Sequence, residues 1–247
     1  MRVLLAGESW TTFHMHIKGF DPFFNSTFET GATALTAALE QGGAQVDYIP
    51  NHDAPVQFPQ TLEALKEYDT VILSDIGANT LLLHPDTFAK GQRTPNRLKL
   101  LQTYTANGGG LAMIGGYLTF QGIDGRGQWH ETPVEEVLPV TMRPVDDRRE
   151  VPEGFHPKVL DEGHPILEGL GEWPWFLGYN RLQAKEGADV LLEHDGDPFL
   201  TVGTYEKGRT AAFASDCAPH WGSQEFVDWR GYALFWSRLA AWLAGQL

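Results

Sequence analysis

The stretch Gly109–Gly122, GGLAMIGGYLTFQG, sets a short apolar run between two glycine clusters. A run of this length bounded by glycines reads as a buried strand, because it is too short to form a helical face. Gly115 and Gly116 then allow the chain to turn sharply where the strand ends. In α/β enzymes a strand-to-loop turn of this kind presents a nucleophile, yet the tip here carries Gly116 and Tyr117, with no Cys or Ser.

The pattern repeats on both sides of that strand. MRVLLAG (1–7), AQVDYIP (44–50) and DTVILSDIG (69–77) read as further strands, the last with Asp75 just past its apolar core. Helical spacing is expected over NSTFETGATALTAALEQGG (25–43), TLEALKEY (61–68) and TPNRLKLLQTYTANGGG (94–110), where Pro95 stands near the start and Gly108 near the end. Strands alternating with helices predict right-handed crossovers and a mostly parallel, doubly wound, flavodoxin-like sheet in a three-layer α/β/α arrangement. Between the first strand and helix, residues Trp10 to Phe24 read as an aromatic loop. From Gln121 to Gly187 the periodicity loosens, which predicts an irregular insertion or cap on one 1–247 domain. ADVLLEHD (188–195) and PFLTVGTY-EKG-RTAAFAS (198–215) predict an antiparallel extension, and residues 226–247 a Trp-rich amphipathic helix.

Of 247 residues, 42% are hydrophobic and 20% charged, enough to bury a substantial core. The net charge of -14, from 18 basic and 32 acidic residues, argues against nucleic acid, since phosphate binding depends on Lys and Arg. A small-molecule ligand is the expected partner, with a homo-oligomer as a further expectation. No run approaches the length of a membrane helix, the start lacks the basic and apolar regions of a secretory signal, and one cysteine allows no internal disulfide. These features together predict a cytoplasmic protein.

A second stretch carries most of the reactive side chains. TAAFASDCAPHWG (210–222) is a strand ending in Asp216, Cys217, His220 and Trp221. At the C-terminal rim of an open sheet it would join Glu8 and Ser9 after the first strand, Asp75 and Gly77 after the third, and the Gly115–Gly116 turn. Cys217, His220 and Tyr117 are the candidate catalytic residues. An imidazole can activate a thiol, Asp216 could orient His220, and glycine-turn amides could hold an oxyanion. A phenol with an ordinary pKa near ~10 is a poor nucleophile at neutral pH. Equally, Cys217 could be a small buried hydrophobe and the acids solvated loop residues. His14 and His16 alternate in TTFHMHIKGFD (11–21), but no companion cluster has ligand spacing, so neither a metal nor a cofactor is expected. Trp173, Trp175, Trp221, Trp229, Trp236 and Trp242 could bind a sugar ring, fill a core or form a subunit interface.

GGLAMIGGYLTFQG, WHETPVEEVLPV (129–140), GHPILEGL (163–170), FLGYNR (176–181) and above all SDCAPHWG (215–222) resemble the class I glutamine amidotransferase-like superfamily, in particular its cytoplasmic amidotransferase-like branch. The resemblance spans nearly the whole chain. It implies a flavodoxin-like fold with a pocket at the elbow, where family enzymes carry a cysteine, together with a His-x-Glu pair near the C-terminus. Here Gly116 or Tyr117 takes the elbow position and Gly222 stands two residues past His220, so only His220 carries over. Three functions follow as expectations. The first is a protein lacking glutaminase chemistry that binds a small polar or carbohydrate-like ligand. The second is a hydrolase using Cys217 and His220. The third is a non-catalytic scaffold dimerising through its tryptophan-rich region.

Overall fold

The computed structural model describes residues 1–247. The first half runs β1 (Arg2–Gly7), β2 (Ser9–Lys18), β3 (Asp21–Thr30), α1 (Ala32–Gln41), β4 (Gln45–Ile49), α2 (Ala54–Gln57), α3 (Leu62–Leu65), β5 (Thr70–Ser74), α4 (Ala78–Leu82), α5 (Pro85–Lys90), α6 (Arg97–Ala106) and β6 (Gly110–Ile114). The second adds α7 (Pro133–Val137), β7 (Val140–Thr141), β8 (Arg148–Phe155), β9 (Lys158–Val159), β10 (Phe176–Asn180) and β11 (Gln183–Ala184). It closes with β12 (Asp189–His194), β13 (Asp197–Tyr205), β14 (Gly208–Phe213), α8 (Gln224–Asp228) and α9 (Tyr232–Leu243).

The apolar runs become the centre of an eight-stranded sheet ordered β4-β1-β5-β6-β14-β13-β12-β9. β4, β1, β5, β6 and β14 are parallel neighbours, and β13, β12 and β9 extend the sheet antiparallel. Taken in chain order, the parallel strands follow the flavodoxin-like succession, with its switch point beside β1. β5 and β6 are buried at every position, as strands covered on both faces must be. α1 packs on α9, where Ser237 Oγ donates to the Ala38 carbonyl at 3.0 Å, while α6 meets α3, α4 and α7. Asn96 starts α6 by accepting from the amides of Leu98 and Lys99.

Four local expectations change. Residues 10–24 are not a loop: they form most of the β2–β3 hairpin, so the helix predicted from residue 25 begins only at Ala32. The 61–68 segment keeps a single turn, α3, initiated by Thr61. The C-terminal helix is two helices, broken at Trp229 to Gly231, where the Gly231 Cα lies so close to the Trp229 ring that a Cβ would sit 2.4 Å from it. Residues 121–187 carry two small antiparallel pairs, β8–β10 and β7–β11, and contribute Trp129, Val134, Phe176 and Tyr179 to the same core cluster as the sheet.

Phe213, at the end of β14, sits at the centre of that core, with ring centroids 5.2 to 6.0 Å from Phe199, Trp236, Phe235, Phe176 and Phe226. Replacing Phe213 with Ala removes a shared partner from all five. We expect a loss of about 3–5 kcal/mol in urea unfolding, and a loss under about 1 kcal/mol would contradict this packing account.

Candidate functional site

The parallel strands end on one rim, and three of them deliver carboxyl groups there. β1 is followed by Glu8, β5 by Asp75 and β14 by Asp216, while the turn after β6 lies among them. At Gly116 (φ +146°), an added Cβ would lie 2.8 Å from Asp75 Oδ1 and 2.9 Å from Asp216 Oδ1. The elbow therefore has glycine at its tip because two carboxylates occupy the space a side chain would need.

The turn's amides are already engaged. Gly115 donates to the Phe213 carbonyl at 2.7 Å, Gly116 to Asn180 Oδ1 at 3.0 Å, and Leu118 to Asp75 Oδ1 at 2.8 Å. The Tyr117 amide also favours the charged form of Asp75. This corrects the expectation that Gly115 and Gly116 supply an oxyanion pocket, because such donors must be free to meet developing charge.

Burial sets the electrostatics. It pushes the Glu8 carboxyl up to about 8, aided by the charges of Asp216 and Asp75 and opposed by the Ser74 hydroxyl. Asp75 is raised to about 6 by burial and by Asp216, against the pull of the Leu118 amide. Burial raises Asp216 as well, partly offset by His220. Glu8 and Asp75 also hold left-handed backbones, with φ of 49° and 40°. Non-glycine residues adopt this conformation at a cost of order 1 kcal/mol, and it concentrates at functional positions.

Cys217 and His220 do not form a couple. The thiol is fully buried, 3.8 Å from Ser74 Oγ, and its pKa is pushed well up by burial and by the charges of Glu8 and Asp216. His220 instead binds Asp216, Nδ1 to Oδ2 at 2.7 Å, and its side chain is 42% exposed. Burial lowers its pKa, but the Asp216 hydrogen bond and the charges of Asp216, Glu150 and Asp75 outweigh that and raise it. Asp216 also accepts the Trp221 amide at 3.0 Å.

Tyr117 caps this pair, its ring edge-on to His220 at 4.3 Å and to Trp221 at 5.6 Å. The Tyr117 hydroxyl donates to Glu150 Oε1 at 3.2 Å and Trp221 Nε1 donates to Glu150 Oε2 at 2.9 Å, with the Arg148 guanidinium 5.0 Å over the Tyr117 ring. Ser9 and Gly77 act at the margin. The Ser9 hydroxyl accepts the Asn51 amide at 2.8 Å, and Gly77 precedes α4 as its N-cap.

Sequence reasoning missed the residues that hold the rim together. Asn180 Nδ2 donates to the Gly116 carbonyl and to Asp147, whose carboxylate accepts the amides of Gln121 and Gly122. Asn51 Nδ2 ties the Ser9 carbonyl to that of Asp75. FLGYNR was visible as a motif, but nothing in its spacing links it to the elbow. The tryptophans divide: Trp173, Trp221 and Trp236 are buried in the core. A cavity of about 860 Å³ is lined by residues including His156, Trp173, Glu225 and Trp229, and by none of the rim residues.

Two predictions follow from the rim. Glu8, Asp75 and His220 all have raised folded-state pKa values, so each contributes stability that is complete below its unfolded pKa and is lost as pH rises through the folded one. For Glu8 that window runs from 4.5 to about 8. The urea midpoint should therefore fall across it, less steeply in Glu8→Gln than in wild type, and equal slopes would contradict the assignment. Second, native protein should alkylate at Cys217 at least about a hundred-fold more slowly than urea-unfolded protein near pH 8. Rapid native labelling would contradict the burial and raised pKa of the thiol.

The profile of the family described as "Putative glutamine amidotransferase" matches residues 2–245. Two cytoplasmic proteins of Salmonella typhimurium have closely similar solved structures. One is 44% identical with a TM-score of 0.95 and the other, from strain LT2, 48% identical with 0.94, each covering 98% of this chain and 99% of its own. The cytoplasmic location expected from the sequence agrees with theirs, and no helix is long and apolar enough to cross a membrane. A ThuA-like protein of Parabacteroides merdae, 14% identical with a TM-score of 0.59 over 98% of this chain and 89% of its own, shares the fold alone. No curated protein matches the sequence. By the span of the family match and the two close structures, this chain belongs to the glutamine amidotransferase-like family.

Proposed function

We propose that this chain binds a small, hydroxyl-rich polar ligand at the rim and does not hydrolyse glutamine. The observation that carries this reading is the elbow. At Gly116 there is no room for a side chain, and the turn's amides are spent on Asn180, Asp75 and the Phe213 carbonyl. What remains accessible is a polar and aromatic surface of His220, Tyr117, Arg148 and Glu150, backed by carboxyls that burial holds toward their protonated forms. Hydroxyls both donate and accept, as a sugar ligand requires, and aromatic faces suit the apolar side of a sugar ring. The strained Glu8 and Asp75 backbones support a role for this rim beyond folding.

A second reading has one observation in its favour. Asp216 holds His220 by Nδ1, leaving Nε2 as the nitrogen available to take a proton from a bound hydroxyl or a water, the geometry of an oriented general base. A hydrolase with Cys217 as nucleophile has no such support, given the buried, protonated thiol.

Titration calorimetry with monosaccharides, amides and amino acids tests the proposal. A hydroxylated ligand should bind wild type, and His220→Gln and Tyr117→Phe should each weaken it by about ten- to a hundred-fold, the loss of one or two strong hydrogen bonds. Glutamine should release no ammonia above the blank. Ammonia release that Cys217→Ala abolishes, or a full panel without a binder, would overturn it.

A further inference from the structure

The β2–β3 hairpin is a two-stranded sheet of its own, with no other strand beside it. Its register pairs Thr11 with Phe28, Phe13 with Ser26, Met15 with Phe24 and Ile17 with Pro22 on one face. The other face pairs Trp10 with Glu29, Thr12 with Thr27, His14 with Asn25, His16 with Phe23 and Lys18 with Asp21. The second face satisfies itself. Trp10 Nε1 donates to Glu29 at 2.9 Å, the His16 ring shares a hydrogen bond with Asn25 at 3.0 Å, and the same ring stacks on Phe23 at 4.4 Å. The first face is almost wholly apolar and uncovered: Phe13 is 79% exposed, Ile17 70%, Phe24 64%, Met15 62% and Phe28 52%, with Phe20 fully exposed at the tip.

A lone hairpin in water is marginal, and strict apolar alternation on a strand normally marks a buried face. We infer that this apolar face packs against the same face of a second copy of the chain, forming a two-fold dimer through the hairpins. Three observations favour a second copy. With aromatic side chains offering on the order of 200 Å² each, these exposures leave roughly 700 Å² to be covered, near the ~800 Å² that each partner contributes to a standard stable interface. A flat apolar β-face is complementary to itself, as an isologous contact requires. Charge points the same way: residues 9–30 carry one base, Lys18, against Asp21 and Glu29, a net -1 of the chain's -14. All three lie on the opposite face, so two acidic copies can meet on the apolar one without setting like charges against each other. Three of the six tryptophans expected to form an interface are unsuited to it, because Trp221 and Trp236 are 1% exposed and Trp173 4%, while Trp175, Trp229 and Trp242 are only partly exposed.

The hairpin also grows out of the rim. Tyr48 Oη donates to the Gly7 carbonyl at 3.0 Å and the Thr30 hydroxyl to the Glu8 carbonyl at 3.0 Å, so the base of both strands is fastened beside Glu8. The dimer contact therefore begins next to the carboxyl cluster.

Sedimentation velocity of the full chain from low to high micromolar concentration tests this. The wild type should sediment as a dimer, and Phe13→Ser combined with Phe24→Ser should weaken association by more than about a hundred-fold, as expected for losing two central anchors. Thr12→Ser with His14→Ser, on the opposite face, should leave the mass unchanged. Hydrogen exchange on wild type gives a readout independent of the variants: the amides of residues 10–29 should become better protected as concentration rises. A wild type monomeric throughout, with or without binding to lipid vesicles, would overturn the inference, as would a Phe13→Ser, Phe24→Ser variant that keeps the wild-type mass.

Discussion

Gly116 stands where two carboxylates leave no room for a Cβ, and much of the rim depends on that crowding. Position 116 cannot hold a side chain, and beside it Tyr117 carries a phenol whose pKa burial raises, a poor nucleophile. The elbow's amides serve the protein's own acceptors, Asp75 and Asn180. Asn180 in turn is fixed by Asp147, which also gathers the amides of the loop following the elbow. The strands keep the flavodoxin-like order, and the donors of the turn after β6 are taken up by internal hydrogen bonds.

The three carboxyls also change what the rim can offer. Groups so close and so buried cannot all be ionised at neutral pH, so the cluster holds protons and can donate as well as accept. Asp216 is the member shared between the interior and His220, and it passes the charge state of the buried cluster to the exposed imidazole at the rim. The aromatic lid of Tyr117 and Trp221 is pinned from outside by Glu150, so the polar interior and the exposed ring belong to a single hydrogen-bonded unit.

The sheet was legible because its central strands are buried on both faces, and runs such as VILS and LAMI have no other stable fate. The gathering of Glu8, Asp75, Asp216 and the elbow was legible for the same reason, since parallel strands end at one rim. The alternation of Phe13, Met15 and Ile17 was also present in the sequence. It reads as a loop because no core lies under it within the chain, and because the partner strand breaks the pattern with adjacent Phe23 and Phe24. Asp147 and Asn180 were illegible because their role depends on two segments meeting across β8 and β10, where the register shifts at an irregularity. The sense of Cys217 was hidden for a related reason. A turn sequence cannot reveal that the thiol faces Ser74 and not the imidazole beside it in sequence.

The place of β14 in the sheet bears on how the molecule is made. β14 lies between β6 and β13, and α9, which covers β6 and β14, follows it in sequence. During synthesis the parallel half, β4-β1-β5-β6, emerges first with the edge of β6 unpaired, and that edge stays open until Phe213 has left the ribosome. The antiparallel half cannot join it earlier, because β14 is the only strand that links them. A nascent chain paused before that point presents the unpaired edge of the five-residue apolar strand β6, the kind of surface that chaperones shield and that pairs wrongly with neighbours.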